Sequence, residues 1–85
     1  MSTAYVLLNV KPNSELEVIK LLKDLLTNVG QSVRYELQGV YGVYDIVVKI
    51  ESEILDDVKN MLAKIRRLDN VSSTMTMLVI EEQEV

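Results

Sequence analysis

Two helix-like segments alternate with four short apolar runs, and the order of these six segments constrains the fold more than any other feature. In the helical segments, residues 14–29 and 52–65, apolar side chains recur every three or four positions and so share one helix face. The predicted strands cover residues 4–10, 33–38, 43–50 and 72–80. With right-handed crossovers, the order βαββαβ predicts a ferredoxin-like α+β fold. Residues 1–85 would form a single domain, with antiparallel strands in the order 4-1-3-2 and both helices on one face.

The predicted helix ends carry local signals. Ser14 followed by Glu17 has the spacing of a capping box, in which both side chains bond otherwise unpaired backbone N–H groups. Gly30 suits the position after the last helical residue, because glycine adopts positive φ without strain. Ser52 is the predicted cap of the second helix, which has acidic residues near its start, where the helix dipole favours them.

The composition argues against catalysis. The 85 residues include no cysteine and no histidine. Histidine is the commonest general base and metal ligand, and cysteine supplies thiolate ligands and disulfides. We therefore expect no catalytic residue, no metal and no cofactor.

The net charge of −4 argues against direct contact with nucleic acid. The densest basic group, Lys64 with Arg66 and Arg67, lies where a helix C-terminus favours cations, so no basic surface is segregated for phosphates. No apolar run approaches the roughly 20 residues that cross a bilayer, and the first four residues lack the basic side chains of a secretory signal. We therefore expect a cytoplasmic protein without membrane contact.

Strands one, three and four are expected to be apolar on both faces, although the helices cover only one face of the sheet. Alternation assigns the side chains to the two faces. The predicted helix side holds Val6, Leu8, Tyr44, Ile46, Val48, Met75, Met77 and Val79. The predicted open side holds Tyr5, Leu7, Asn9, Val47, Lys49, Thr74, Thr76, Leu78 and Ile80.

Uncovered apolar side chains in such number usually mark an interface. We therefore predict a homodimer, or a higher even-numbered oligomer, joined through the open face. The predicted interface residues are Tyr5, Leu7, Val47, Leu78 and Ile80. The alternative is a monomer with an unusually apolar sheet.

The connection between strands two and three is the candidate binding region. Gly39 and Gly42 permit the positive backbone angles of a tight reversal, and Asp45 then opens an otherwise apolar strand. A carboxylate at the mouth of a strand can bind a ligand. It can equally cap its own turn through the backbone, and the residues leave both interpretations open.

Residues 42–49 (GVYDIVVK) and 71–80 (VSSTMTMLVI), on either side of the second helix, resemble the effector-binding domain of the Lrp/AsnC family, also called the RAM domain. The resemblance covers nearly the whole chain. It implies a domain that dimerises through its sheets, often assembles further, and binds a free amino acid effector in clefts between subunits.

Carried over by the resemblance, the ligand-binding residues would be Val40, Tyr41, Gly42, Tyr44, Asp45, Thr74 and Thr76. Asp45 would accept hydrogen bonds from the ammonium group of the ligand. Turn N–H groups or threonine hydroxyls would donate to the carboxylate of the ligand. An aliphatic amino acid is favoured over an acidic one, which Asp45 would repel. The alternatives are strand propensity for the threonines and core or interface packing for the tyrosines.

The chain departs from the family's regulators in one respect. They carry an N-terminal helix-turn-helix module, whereas the first predicted strand here begins close to Met1. The resemblance is therefore to a stand-alone form, which would act through full-length Lrp/AsnC relatives or through a metabolic enzyme.

Two other classes share the βαββαβ order. RNA-recognition modules present aromatic residues after a basic start to strand three, but Gln38-Gly39-Val40 has no basic residue and the chain has no phenylalanine. A small enzyme, acylphosphatase-like or a dimeric barrel oxygenase, is the other alternative. The tripeptide resembles an acylphosphatase phosphate cradle but follows strand two instead of strand one, and no arginine follows it.

Overall fold

A computed structural model describes residues 2–28 and 32–79. The elements are β1 (Ser2–Val10), α1 (Glu15–Thr27), β2 (Val33–Gly39), β3 (Ile46–Ser52), α2 (Leu55–Arg66) and β4 (Val71–Leu78). All neighbouring strands pair antiparallel in the order β2-β3-β1-β4. The predicted ferredoxin-like fold is therefore confirmed. Gly30 and Ile80 lie outside the described residues, as does the predicted end of strand four.

The core lies between the two helices and one face of the sheet. The central strands contribute Ala4, Val6, Leu8, Ile46, Val48 and Ile50, the helix α1 contributes Val18, Leu22 and Leu26, and α2 contributes Val58, Met61, Leu62 and Ile65. All of these side chains are at most 8% exposed. Burying each large aliphatic side chain stabilises the fold by about 1.5–3 kcal/mol. The predicted inward face of β1 and β3 is confirmed.

Both predicted side-chain caps are wrong in detail. Ser14 precedes α1, but its side chain makes no capping hydrogen bond; its backbone N–H donates to the Lys11 carbonyl at 3.0 Å. Asn13, with φ 64°, shapes this turn instead of a capping box. Ser52 Oγ accepts the Ile54 N–H at 3.1 Å, so it stabilises the turn before α2, whose N-cap is Ile54.

The register of β4 reverses the predicted faces of that strand. Ala4, Val6 and Leu8 pair with Leu78, Thr76 and Thr74, respectively. Residues directly opposite each other in an antiparallel pair share a face of the sheet. Since the three β1 residues are buried towards the helices, Thr74, Thr76 and Leu78 also lie on the helix side, and their predicted open-face position is wrong.

Met75 and Met77 occupy the open face instead. They pair with Leu7 and Tyr5, and each is 48% exposed. Their predicted place on the helix side is wrong because strand four alternates between two residue types that both suit a sheet, which leaves its phase undetermined. The register also shifts between Asn9 and Val10, and a slip of one residue exchanges the faces of a strand.

The packing predicts that replacing two leucines on α1 lowers the free energy of unfolding by unequal amounts. Leu22 is fully buried, whereas Leu16 is 84% exposed. We expect Leu22→Ala to lower the free energy of unfolding by about 2–5 kcal/mol, because it leaves a cavity in the core. The matched variant Leu16→Ala should change it by less than about 0.5 kcal/mol. Urea denaturation checks both values, and equal costs would contradict this account of the core.

Candidate functional site

Asp45 is held at the end of the sheet by three hydrogen bonds of 2.9 Å. Its backbone N–H donates to the Leu8 carbonyl, and its carbonyl accepts from the Val40 N–H. Its side-chain Oδ2 accepts from the backbone N–H of Val10. The carboxylate therefore does not cap its own turn but binds the neighbouring strand β1, which fixes its position. Oδ1 makes no hydrogen bond to any residue in the described part of the chain.

The connection between β2 and β3 is longer than predicted. β3 begins at Ile46, so Val43, Tyr44 and Asp45 precede the strand, although strand three was predicted to start at residue 43. Gly42 has φ +139°, an angle that other residues rarely adopt, and no atom lies within 4 Å of where a Cβ would stand. The glycine is therefore required by the backbone angle and not by crowding.

The same connection presents unused backbone donors. The N–H groups of residues 41–44 donate to no other residue among those described. Successive N–H groups in a turn provide a binding place for an anionic group such as a carboxylate. The connection thus carries both unused backbone donors and a fixed carboxylate acceptor, which are the two kinds of partner that a zwitterion needs.

An open cavity of about 250 Å³ lies against this connection. It is lined by Glu15, Ile19, Gly39, Val40, Tyr41 and Asp45. The structure therefore brings together three of the predicted ligand-binding residues, namely Val40, Tyr41 and Asp45. Below, we call this space the Asp45 cavity.

Glu15 and Ile19 were missed by the sequence analysis. Both belong to α1, and neither carries a motif of its own. The signal that could have found them is topological: β1 ends, α1 begins, and β2 leads into β3 at the same end of an antiparallel sheet. The first turns of α1 were thus bound to lie near the candidate connection.

The other predicted ligand-binding residues do not line the Asp45 cavity. Gly42 lies in the same connection. The Tyr44 hydroxyl donates to Met75 Sδ at 3.5 Å, so Tyr44 reaches a residue of the open face, and its predicted place on the helix side is wrong. Thr74 and Thr76 are on β4, which is separated from β3 by β1.

The open face carries an apolar group that we call the open-face cluster. Its members are Tyr5, Leu7, Val47, Met75 and Met77. All five are partly or largely exposed to solvent. Of the predicted interface, Tyr5, Leu7 and Val47 thus lie on this face, Leu78 does not, and Ile80 is outside the described residues.

A charged group borders the cluster. Lys49 Nζ lies 3.5 Å from Glu51 Oε1 and 6.0 Å from the centroid of the Tyr5 ring. The nearby Glu51 carboxylate, and to a smaller extent Tyr5, raise the pKa of Lys49 above its usual 10.5. The ammonium group is therefore charged at neutral pH. The open face therefore combines an apolar centre with an ion pair at its border.

No group of three potential metal-ligating side chains occurs in residues 2–28 and 32–79. Within the same residues, no helix is long and apolar enough to cross a membrane.

Comparison with known proteins places this chain in a family. No family model and no curated protein matches the sequence. Among solved structures, the hypothetical protein PHS023 from Pyrococcus horikoshii is 34% identical, with 96% of this chain and 93% of that chain covered and a TM-score of 0.75. The protein FFRP-DM1 is 33% identical over 94% of this chain and 100% of its own, with a TM-score of 0.75.

The wider likeness extends to transcriptional regulators. Escherichia coli AsnC shares the fold at 19% identity and a TM-score of 0.71, with 99% of this chain but 54% of AsnC covered. The present chain thus spans about half the length of AsnC and nearly the whole length of the two smaller proteins. The chain belongs to the Lrp/AsnC family, and it has the fold of the family's effector-binding domain.

The hydrogen bond from the Val10 N–H to Asp45 predicts that substitutions of Asp45 destabilise the fold by an amount that depends on the new side chain. Asp45→Ala leaves the part-buried Val10 N–H without its acceptor, which should lower the free energy of unfolding by about 1–3 kcal/mol. Asp45→Asn keeps an acceptor oxygen and should cost less. Urea denaturation of both variants measures the difference, and equal stability of the alanine variant and the unmodified protein would contradict the role of this bond.

Proposed function

We propose that this chain is an amino-acid-sensing and oligomerisation module that binds its effector at the Asp45 cavity. The observation that carries the proposal is the Asp45 carboxylate, which lines a cavity and is fixed by Val10 beside a turn with unused N–H donors. The likeness to AsnC, a member of a family of transcriptional regulators, supports a regulatory role in place of an enzymatic one.

The chemistry of a free amino acid suits these groups. Its ammonium would donate to Asp45, whose Oδ1 has no partner among the described residues. Its carboxylate would accept from the N–H groups of the turn around Gly42. Charge-assisted hydrogen bonds of this kind are worth about 1.5–3 kcal/mol each. Ile19 and Val40 would contact an aliphatic side chain, which is the class that the sequence favoured.

The remaining predicted ligand-binding residues require a second subunit in this proposal. Tyr44, Thr74 and Thr76 do not line the Asp45 cavity, so they would contribute only across a cleft between subunits, as the family resemblance implies. Tyr41 is fully exposed and Val43 is 82% exposed. Tyr41 lines the cavity, Val43 belongs to the same connection, and both side chains are available to a neighbouring subunit that would close the cavity.

We also propose that the open-face cluster joins two copies of the chain. Five apolar side chains share this face, and an apolar patch of this kind usually mediates association. A second copy would bring an identical cluster against it, as expected for a symmetric dimer. Mixed oligomers with full-length relatives, or contact with a metabolic enzyme, would then link effector binding to a downstream response.

The proposal predicts that two substitutions weaken the binding of free amino acids, which calorimetry measures, beginning with leucine. Asp45→Asn should weaken binding by about tenfold to a hundredfold, because the charge-assisted hydrogen bond is lost while the link to Val10 persists. Gly42→Val should abolish binding, since its φ of +139° strains any other residue and the turn would rearrange. Absence of heat for every amino acid at millimolar concentration would contradict the proposal, as would unchanged affinity in both variants.

The proposed dimer predicts how two substitutions change the oligomeric state, which light scattering measures at micromolar protein concentration. Val47→Glu places a charge inside the open-face cluster and should dissociate or unfold the oligomer, because a buried unpaired charge is costly. Ala63→Glu adds the same charge to the exposed side of α2 and should leave the assembly intact. A stable monomer of the unmodified protein would refute the dimer.

A further inference from the structure

The Asp45 cavity has an unbalanced set of charged side chains. Its lining includes two carboxylates, those of Glu15 and Asp45, and no lysine or arginine. Asp45 is held by Val10, but Glu15 makes neither a salt bridge nor a side-chain hydrogen bond to any described residue. The two acids come from different elements, so the cavity presents one carboxylate from the β2–β3 connection and one from α1.

We propose that Glu15 determines specificity by favouring ligands with a second positive charge, so that the preferred effector is a basic amino acid and not an aliphatic one with the same carbon chain. This inference rests on the proposed binding of an amino acid at Asp45. With the α-ammonium at Asp45, the side chain of the ligand would extend along Ile19 and Val40 towards Glu15. An aliphatic chain would contact the first two residues but offers no charge to the Glu15 carboxylate, whereas a cationic end would form an ion pair with it.

A basic side chain has both properties that this lining requires. The methylene stem of a lysine covers apolar surface while its terminal ammonium remains at a polar edge. Glu15 lies at the rim, because it is exposed to solvent as well as lining the cavity. The place of Glu15 in the lining is therefore the ground for proposing a basic ligand instead of the aliphatic one that the sequence favoured, since that preference was reached without Glu15.

Glu15 has an ordinary explanation that needs no ligand. It belongs to the first turn of α1, where the helix dipole favours acidic residues. Glu17 occupies the same turn, is also exposed, and does not line the cavity. Comparing the two residues thus separates an effect on the helix from an effect on the ligand.

The test measures the affinities of L-lysine and L-norleucine by calorimetry, because these amino acids differ only in the terminal ammonium. We expect lysine to bind about twofold to fivefold more tightly than norleucine, as befits an exposed ion pair. In Glu15→Gln the two affinities should become equal, whereas Glu17→Gln should keep the preference. The preference should also shrink at high salt, since screening weakens exposed pairs.

Three outcomes would overturn the inference. Equal or tighter binding of norleucine to the unmodified protein would refute the role of Glu15 while leaving the proposed function in place. A preference that survives in Glu15→Gln, with its fold verified by circular dichroism, would assign the selection to another residue. Absence of binding for both ligands, and for the other amino acids, would refute the proposed function together with this inference.

Discussion

The antiparallel pairing of β1 with β3 is the contact on which the rest of the structure depends. These central strands supply the inward side chains that the helices cover, including Val6, Leu8 and Val48. The same pairing turns Leu7 and Val47 outward as neighbours on the open face. At its end, the Leu8 carbonyl receives the Asp45 N–H, so the register that builds the core also sets the position of the candidate site.

The candidate site lies at the end of this strand pairing, where a fixed side chain adjoins a turn that is open to solvent. The Asp45 side chain is bound to the end of a central strand, whereas the turn that follows β2 has few internal hydrogen bonds among the described residues. A ligand at the cavity would therefore meet a carboxylate that is already oriented, and would organise only the backbone donors. Groups that are fixed before binding lower the entropic cost of association.

The sequence predicted the fold well where its signals were local and periodic. The order of elements and the inward faces of β1 and β3 followed from apolar spacing, because Ile46 and Val48 alternate with less buried residues. The faces of β4 could not be predicted: Thr74 and Met75 both suit either side of a strand, and only pairing with β1 decides between them. The predicted caps failed because Ser14 and Ser52 have turn geometries that spacing alone does not specify.

The lining of the Asp45 cavity was predicted only in part for a similar reason. Val40, Tyr41 and Asp45 lie close together along the chain, so a single turn motif identified them. Glu15 and Ile19 come from α1, and a residue on a helix reveals its place at a site only when the tertiary arrangement is known. The Asp45 contact with Val10 was equally hidden, because it joins positions 35 residues apart.

The methionines on β4 bear on which partners the proposed interface at the open face would accept. Met75 and Met77 have unbranched, polarisable side chains with several rotatable bonds, and such side chains adapt to surfaces of different shape. A face built only from branched residues would fit one partner well and others poorly. If the open face joins two copies as proposed, two adjustable side chains beside the more rigid Leu7 and Val47 would make the interface tolerant, so that divergent copies of the domain would pack against it without a matching change here.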